Sequence, residues 1–439
     1  MRIRRTGVAL VTVGVLAAAL VGCADDGGSD DGTTELLIWD TGLLARNNED
    51  GSEGEGSFLH AAAALFMDEH PEINVNIVQQ GGDISTNAAQ FQAASIAGNG
   101  PDIRIAYAGG PVLSFADYFV DLTDVFDQET LDDITGWDTV RVDYDPDGAI
   151  LALPYGSGSY FTVFYDKSRL EAAGMDPDYE PASWEEMLEL GRQYQAATGA
   201  EPFWLANLEG YVGAWLVAAL AGGELGSSAF TDMYRGTTQI DSPAMVDAYT
   251  TYAALYSDGL ANPDAGEVSN GDSLSGYLDG DQLYYFSGMW DDGVMIENFG
   301  DDVGTFFIPM PEGSTYTSVA AGGPNIGLSI TNYSDHQEEA AEFLRFLAEP
   351  ATQDIYVEMY QVEGSNSRSA DPSVIENPLL EEQAAELQEI DQFIYPFDNV
   401  MPQAVIDLFY RVNATTFLGT TTPQDAVTQL QSALDAEQG

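Results

Sequence analysis

LPYGSGSYFTVFYDKSRLEAAGMDPDYEPASWEEMLELGRQ, residues 153–193, is the stretch on which the reading of the fold turns. Pro154 and Tyr155 lead into Gly156, Ser157, Gly158 and Ser159. Small residues of this kind suit a chain that crosses a gap or lets a ligand approach the backbone. Phe161 to Tyr165 is a short apolar, aromatic and β-branched run and predicts a buried strand. Lys167 to Ala173 predicts a short helix ended by Gly174. Ser183-Trp184-Glu185-Glu186 has the spacing of a capping box, and Met187, Leu188, Gly191 and Tyr194 continue one helical face from Trp184.

Working outward, the N-terminus reads as a leader. Arg2, Arg4 and Arg5 precede an apolar run, Val8 to Leu20, too short to span a bilayer comfortably. It ends at Leu20-Val21-Gly22-Cys23, which resembles the lipobox of bacterial lipoproteins. Residues 1–22 are therefore expected to be a signal peptide, with lipid on Cys23 and residues 23–34 as an acidic flexible tether. Cys23 is the only cysteine, so no intramolecular disulfide is possible. The expected location is the outer face of the cytoplasmic membrane.

The chain carries 72 acidic against 13 basic residues, a net charge of −59. Without the leader's three arginines the balance is 72 against 10, or −62. Repulsion excludes nucleic acid and anionic surfaces as partners. The acids are scattered and hydrophobic content is ordinary, so disorder is not indicated. A secreted protein adapted to salt is the reading this balance favours. The remaining length calls for two sizeable lobes.

In the first, Glu35 to Asp40 predicts a strand, Phe58 to about Glu69 a helix capped by Ser57, and Ile73 to Ile77 a second strand, together a βαβ unit. A helix over about Asn87 to Ala97 feeds a strand over Ile103 to Tyr107. Asp143 to Gly148 imitates the start of a calcium loop, but Pro154 stands where the bidentate Glu belongs, so a tight turn is expected. Later, Tyr211 to Ala221 predicts an apolar helix broken at Gly222-Gly223, and Ser242 with Pro243 starts another. Asp335 is placed to cap a helix through Ala340 and Leu347.

The order of these strings resembles extracellular solute-binding protein family 1, the lipid-anchored substrate-binding components of sugar-importing ABC systems, of the maltose-binding type. The opening stretch matches the family's Pro-Tyr crossover, its "YNK-like" strand (here with Asp166 for Asn) and its "TW-E-E" helix. AGNGPDIRIAYAG resembles its "sGnaPDvv" turn, and GDQLYYFSGMWDDGVMIENF its "GkaAmmisGsW" strand-turn-helix, with Asp281 for Lys. GSNSRSADP stands at its "lPaRsd" turn, Ser replacing Pro. The resemblance implies a two-lobe α/β periplasmic-binding-protein fold, each lobe a mostly parallel sheet flanked by helices. It implies three interlobe crossovers, near Leu153–Gly156, Met310–Ser318 and Gln361–Arg368. Lobe 1 would be 35–153 plus 319–361, and lobe 2 would be 154–318 plus 362–439.

No catalytic constellation emerges. His60, His70 and His336 each sit at or beside a polar helix end, and none pairs with a cysteine. No enzyme activity, metal or cofactor is expected, and the partners expected are a carbohydrate and the permease of the importer, with the protein itself a monomer. Sugars present apolar C–H faces ringed by hydroxyls, so a site wants flat aromatics together with carboxylates, amides or arginine. The candidates are Trp39, Asp40, Tyr107, Tyr155, Trp204, Glu209, Trp290, Gly322, Gly323 and Arg368. Trp39 and Asp40 end a strand, where ligands of open α/β sheets bind. Trp290 leaves a strand end at Ser287-Gly288-Met289, and the family resemblance implies a Trp there that stacks on sugar. Trp215, inside an apolar helix, reads as packing. A polyamine is the alternative ligand, and a secreted carbohydrate-active enzyme the alternative class.

Overall fold

A computed structural model describes residues 33–45, 56–81, 84–361 and 363–438. The leader, Cys23 and all but the last two residues of the tether lie outside the described residues. The strands, in chain order, are β1 (Thr34–Asp40), β2 (Ile73–Gln79), β3 (Ile103–Tyr107), β4 (Leu153–Tyr155), β5 (Phe161–Asp166), β6 (Phe203–Trp204), β7 (Tyr284–Gly288), β8 (Val303–Phe307), β9 (Val319–Ala321), β10 (Ile326–Ile330) and β11 (Gln392–Ile394). They form sheets of order β2-β1-β3-β10-β4 and β6-β7-β5-β8, with β9 and β11 paired on their own.

Each sheet anchors one core. In the first, Leu36 and Ile38 of β1 and Ile103 and Ile105 of β3 are fully buried. They share a cluster with Phe58 and Phe66 from helix Phe58–Glu69 and with Phe343 and Leu344 from helix Gln337–Ala348. The second core gathers Phe161, Val163, Phe203 and Phe286 from its sheet under helices Trp184–Thr198, Tyr211–Leu225 and Pro243–Ser257. Two lobes with helix-covered sheets follow, as the sequence predicts.

The strands are more mixed in sense than expected. In the first sheet β1 runs parallel to β2 and β3, whereas β10 is antiparallel to β3 and β4. In the second only β6 and β7 are parallel, and β5 is antiparallel to β7 and β8. The reversed strands β5 and β10 each begin where the chain has just crossed from the other lobe, so no local βαβ crossover fixes their direction.

The crossovers also move. The first lies at Gly156–Tyr160, because β4 is still paired in the first sheet. The second lies at Gly322–Asn325 rather than Met310–Ser318, since the Met310 carbonyl accepts from Trp184 and the Tyr316 amide donates to Gly223, both in lobe 2. The third is later than expected. Asn366 still donates to the Thr135 and Pro154 carbonyls of lobe 1, and Ile375 touches both lobes before helix Pro378–Leu387 packs in lobe 2. The strands of the hinge lie against one another: Tyr160 bridges Gly322, and the Ser157 amide donates to Gly364. Gly158, at φ +89°, sits so close to Gly323 that a Cβ would fall 1.8 Å from its carbonyl carbon, so only glycine fits.

Several local expectations are corrected. Helix Tyr211–Leu225 runs through Gly222 and Gly223, which are there for close packing: a Cβ on Gly222 would lie 2.4 Å from the Ile394 side chain. Ser57 occupies an N-cap position, but its hydroxyl pairs with His60 Nδ1 at 2.9 Å. The capping box at Ser183 is half formed. The Ser183 hydroxyl accepts from the Glu186 amide at 3.2 Å, while the Glu186 carboxylate takes the Ala182 amide and the Tyr179 hydroxyl. His336, not Asp335, takes the N-cap position of helix Gln337–Ala348. The calcium-like segment is a turn whose Asp143 and Tyr144 have positive φ. Tyr144 reaches into lobe 2, donating to the Val400 carbonyl at 2.8 Å and meeting Tyr234 edge-on.

Candidate functional site

A cavity of about 550 Å³ opens between the lobes. That is within the range typical of small-molecule pockets, roughly 300–1,000 Å³. Lobe 1 contributes the loop after β1 (Gly42 and Leu43), Tyr107 at the end of β3, Pro111, and Asn325-Ile326 entering β10. These are carboxyl ends of parallel strands and the switch to an antiparallel one, where open sheets offer free backbone. Lobe 2 supplies most of the wall, and most of the aromatic surface.

Trp290 follows β7 directly. Its indole is half-buried, lies over Gly288 and meets the Trp215 ring edge-on at 5.4 Å between centroids. Tyr211, at the start of the same helix as Trp215, approaches it at 6.3 Å, and Tyr410 approaches Tyr211 at 6.3 Å. Trp215 is thus both packing and cleft wall, and only 4% exposed.

Carboxylates stand among these rings. Asp291 accepts from the Tyr285 hydroxyl at 3.0 Å and the Ser287 hydroxyl at 2.5 Å. Burial raises its pKa and those two donors oppose the rise. Asp398 accepts from the Tyr410 hydroxyl at 2.8 Å. Burial pushes its carboxyl up to about 6, against the pull of that hydroxyl and nearby N–H groups. Glu363 is buried at the hinge, where the Tyr356 and Ser159 hydroxyls donate to it. Asn325, Asn399, Asn270 and Gln403 add amides. No lysine, arginine or histidine among the described residues lines the cavity.

Of the residues singled out from sequence, Tyr107 and Trp290 line this cleft. Asp40 stands behind it: fully buried, it accepts from the Leu43, Leu44 and Ala45 amides and so shapes the loop that carries Gly42 and Leu43. Trp204 and Glu209 also act from behind. Trp204 donates to the Ser273 carbonyl at 2.8 Å and Glu209 accepts from the Asn270 amide at 2.9 Å, both on helix Asn270–Asp279 or its edge. Gly322 and Gly323 belong to the hinge. Trp39 is half-buried against the lobe 1 core. Tyr155 is a core residue, fully buried between Phe58 and Tyr356. Arg368 is exposed on the outside of lobe 1, its amide bonded to Asp133. Asp291, Asp398 and Tyr410 were not among the candidates. Asp398 lies in the polar pair Asp398-Asn399 bracketed by Pro396 and Pro402, a turn signal the chain carries openly.

The profile of the bacterial extracellular solute-binding proteins matches residues 50–354, well over half of the chain. The chain belongs to that family. This solute-binding protein is 25% identical over 303 residues to a lactose-binding protein of Rhizobium radiobacter, covering 66% of each chain. It is 27% identical over 225 residues to the sn-glycerol-3-phosphate-binding periplasmic protein UgpB of Rhizobium meliloti (strain 1021), covering 50% of this chain and 49% of that one. The match thus spans about half to two thirds of these relatives. Among solved structures, a chitin oligosaccharide binding protein superposes with a TM-score of 0.77 at 18% identity, covering 92% of this chain and 98% of that one. Among the described residues no helix is long and apolar enough to cross a membrane.

Proposed function

We propose that this solute-binding protein captures a carbohydrate between its lobes and hands it to the membrane-spanning permease of an ABC importer. The observation that carries the reading is the cleft itself: the Trp290–Trp215–Tyr211 wall stands over Asp291, Asp398 and side-chain amides. Flat rings match the C–H faces of a sugar, and carboxylates and amides match its hydroxyls. The names of the lactose-binding relative and of the chitin oligosaccharide neighbour point the same way. The role is binding without turnover, from a position outside the cytoplasmic membrane where lipid on Cys23 would hold the protein. Calorimetric titration with mono- and oligosaccharides, followed by chromatography of the recovered ligand, tests this. Saturable heat and intact ligand are expected. Absence of heat with every saccharide sinks the carbohydrate reading, and cleaved ligand sinks binding without turnover.

A cationic solute such as a polyamine is the second reading. The carboxylates of the cleft, unaccompanied by a cation among the described lining residues, favour it. The same titration with polyamines separates the two.

A further inference from the structure

Three buried polar atoms of the described residues lining the cleft have no hydrogen-bond partner: the Ser273 hydroxyl oxygen, the donor Nε1 of Trp215 and the acceptor Oδ1 of Asp398. The last two are a donor and an acceptor that stand beside one another. Both residues line the cavity, at 4% and 7% exposure. Buried polar groups are almost always satisfied, and each exception left open weakens the fold by roughly the desolvation of that group. Asp398 Oδ2 takes the Tyr410 hydroxyl at 2.8 Å, and Asp291 takes two hydroxyls. The Trp215 indole N–H stands close enough to Asp398 to favour its charged form, though no hydrogen bond is formed between the two.

We infer that Trp215 Nε1 and Asp398 Oδ1 form a polar subsite for one hydroxyl group of the ligand, which accepts from the indole N–H and donates to the carboxylate. The inference rests on the carbohydrate reading and sharpens it. A hydroxyl is a donor and an acceptor on a single atom. An ammonium group cannot accept from the indole, and a phosphate or carboxylate oxygen has no proton to give Asp398. The subsite therefore favours a hydroxyl over an ammonium group or a phosphate oxygen, and a hydroxylated anion such as sn-glycerol phosphate fits it only through one of its hydroxyls. Trp215 has two roles in this account: its ring buttresses Trp290, and its N–H reads the ligand.

The bland alternative is that a small shift joins Trp215 directly to Asp398 and nothing enters between them. Trp215→Phe separates the two, because it keeps an apolar ring in the wall and removes only the N–H. The probe is whichever saccharide from the panel above binds the wild type, with its singly deoxygenated analogues. Trp215→Phe and Asp398→Asn are each expected to weaken the parent saccharide roughly tenfold to a hundredfold, the effect of one hydrogen bond to a charged group. One deoxy analogue is expected to bind the wild type equally weakly and to lose nothing further in either variant. Unchanged saccharide affinity in Trp215→Phe, or full additivity of every deoxy analogue with both substitutions, overturns the subsite while leaving carbohydrate binding in place. If polyamines bind and no saccharide does, the carbohydrate reading falls and the subsite falls with it. Melting of the ligand-free variants gives the independent readout. A direct Trp215–Asp398 bond predicts a lowered Tm with unchanged affinity, the reverse of the pattern expected.

Discussion

Trp290 is held by the turn after β7 with part of its indole free and part against Trp215. Its removal should therefore be felt mainly by the ligand. Trp290→Ala is expected to weaken sugar binding tenfold to a hundredfold, by analogy with stacking on nucleobases at about 1–3 kcal/mol per ring. Because the indole is only half-buried, the loss of stability should stay below the ~3–5 kcal/mol of a core tryptophan, the edge-on pair with Trp215 contributing about 0.5–1.5 kcal/mol of it. Calorimetry and thermal melting on the one variant read both, and a large Tm loss with intact affinity would make it a core residue. Its neighbour Asp292 illustrates the opposite environment. Fully buried, it accepts from Gln383 Nε2 at 3.0 Å, while its Oδ2 and the Gln383 Oε1 both lack donors. A proton on the carboxyl relieves that conflict, and burial, with Asp291 nearby, pushes its pKa up to about 8. A raised carboxyl pKa means that the folded state holds a proton the unfolded state has lost. Stability from this group is full below about pH 4 and declines as pH rises toward 8. Asp292→Asn removes that slope. The variant should be about as stable as the wild type at pH 4 and more stable than it at pH 8, by on the order of a few kcal/mol. A gap that does not widen with pH contradicts the assignment.

At the scale of elements, what the sequence made legible was the pattern local to each segment. Period-two burial in β1 and the apolar run of β5 were readable because each strand's own neighbours decide which side faces a core. The sense of β5 and β10 was not, since their partners come from across a crossover. The candidate site divides the same way. Tyr107 and Trp290 are strand-end residues, and position alone places them at the cleft. Tyr155 continues β4 one residue further into lobe 1 than the Gly-Ser run suggests, and so it turns into the core. Asp398 and Tyr410 arrive from a C-terminal segment that packs on helix Tyr211–Leu225 nearly two hundred residues away, and the turn signal at Pro396–Pro402 marks a loop without saying which wall it joins. The Gly222-Gly223 pair was misread for a related reason. Glycine weakens an isolated helix by about 1 kcal/mol relative to alanine, which argues for a break. Here the helix persists because β11 leans on it through Ile394. The consequence is testable: Gly222→Ala should destabilise by about 1–3 kcal/mol through overpacking, despite the better helix former. A raised Tm would show that Ile394 yields easily and that the close approach is not what the glycine serves.

The whole molecule carries a charge that no set of contacts neutralises. Lys167, Arg169 and Arg192 pair with Asp178, Asp166 and Asp258, but 13 basic residues cannot answer 72 acidic ones. The repulsion is visible where acids are forced together. Burial, followed by the nearby carboxylates Glu180 and Glu382, pushes Glu386 up to about 7. Self-repulsion of this kind destabilises the compact state and is screened over about 10 Å at 0.1 M salt and about 3 Å at 1 M. The ordinary cores of both lobes supply the folding drive, so salt acts on the surface term alone. Tm should therefore climb steeply between low salt and a few hundred millimolar NaCl, then flatten as the screening length falls below the spacing of surface charges. NaCl is the right titrant, because sulfate stabilises most folds by exclusion from their surface and would not discriminate. An adaptation to salt predicts a further rise into the molar range, as bound counterions add to simple screening. A flat Tm from low to molar NaCl would mean that the scattered acids are too far apart to repel one another appreciably, and the salt-adaptation reading of the composition would fall with it.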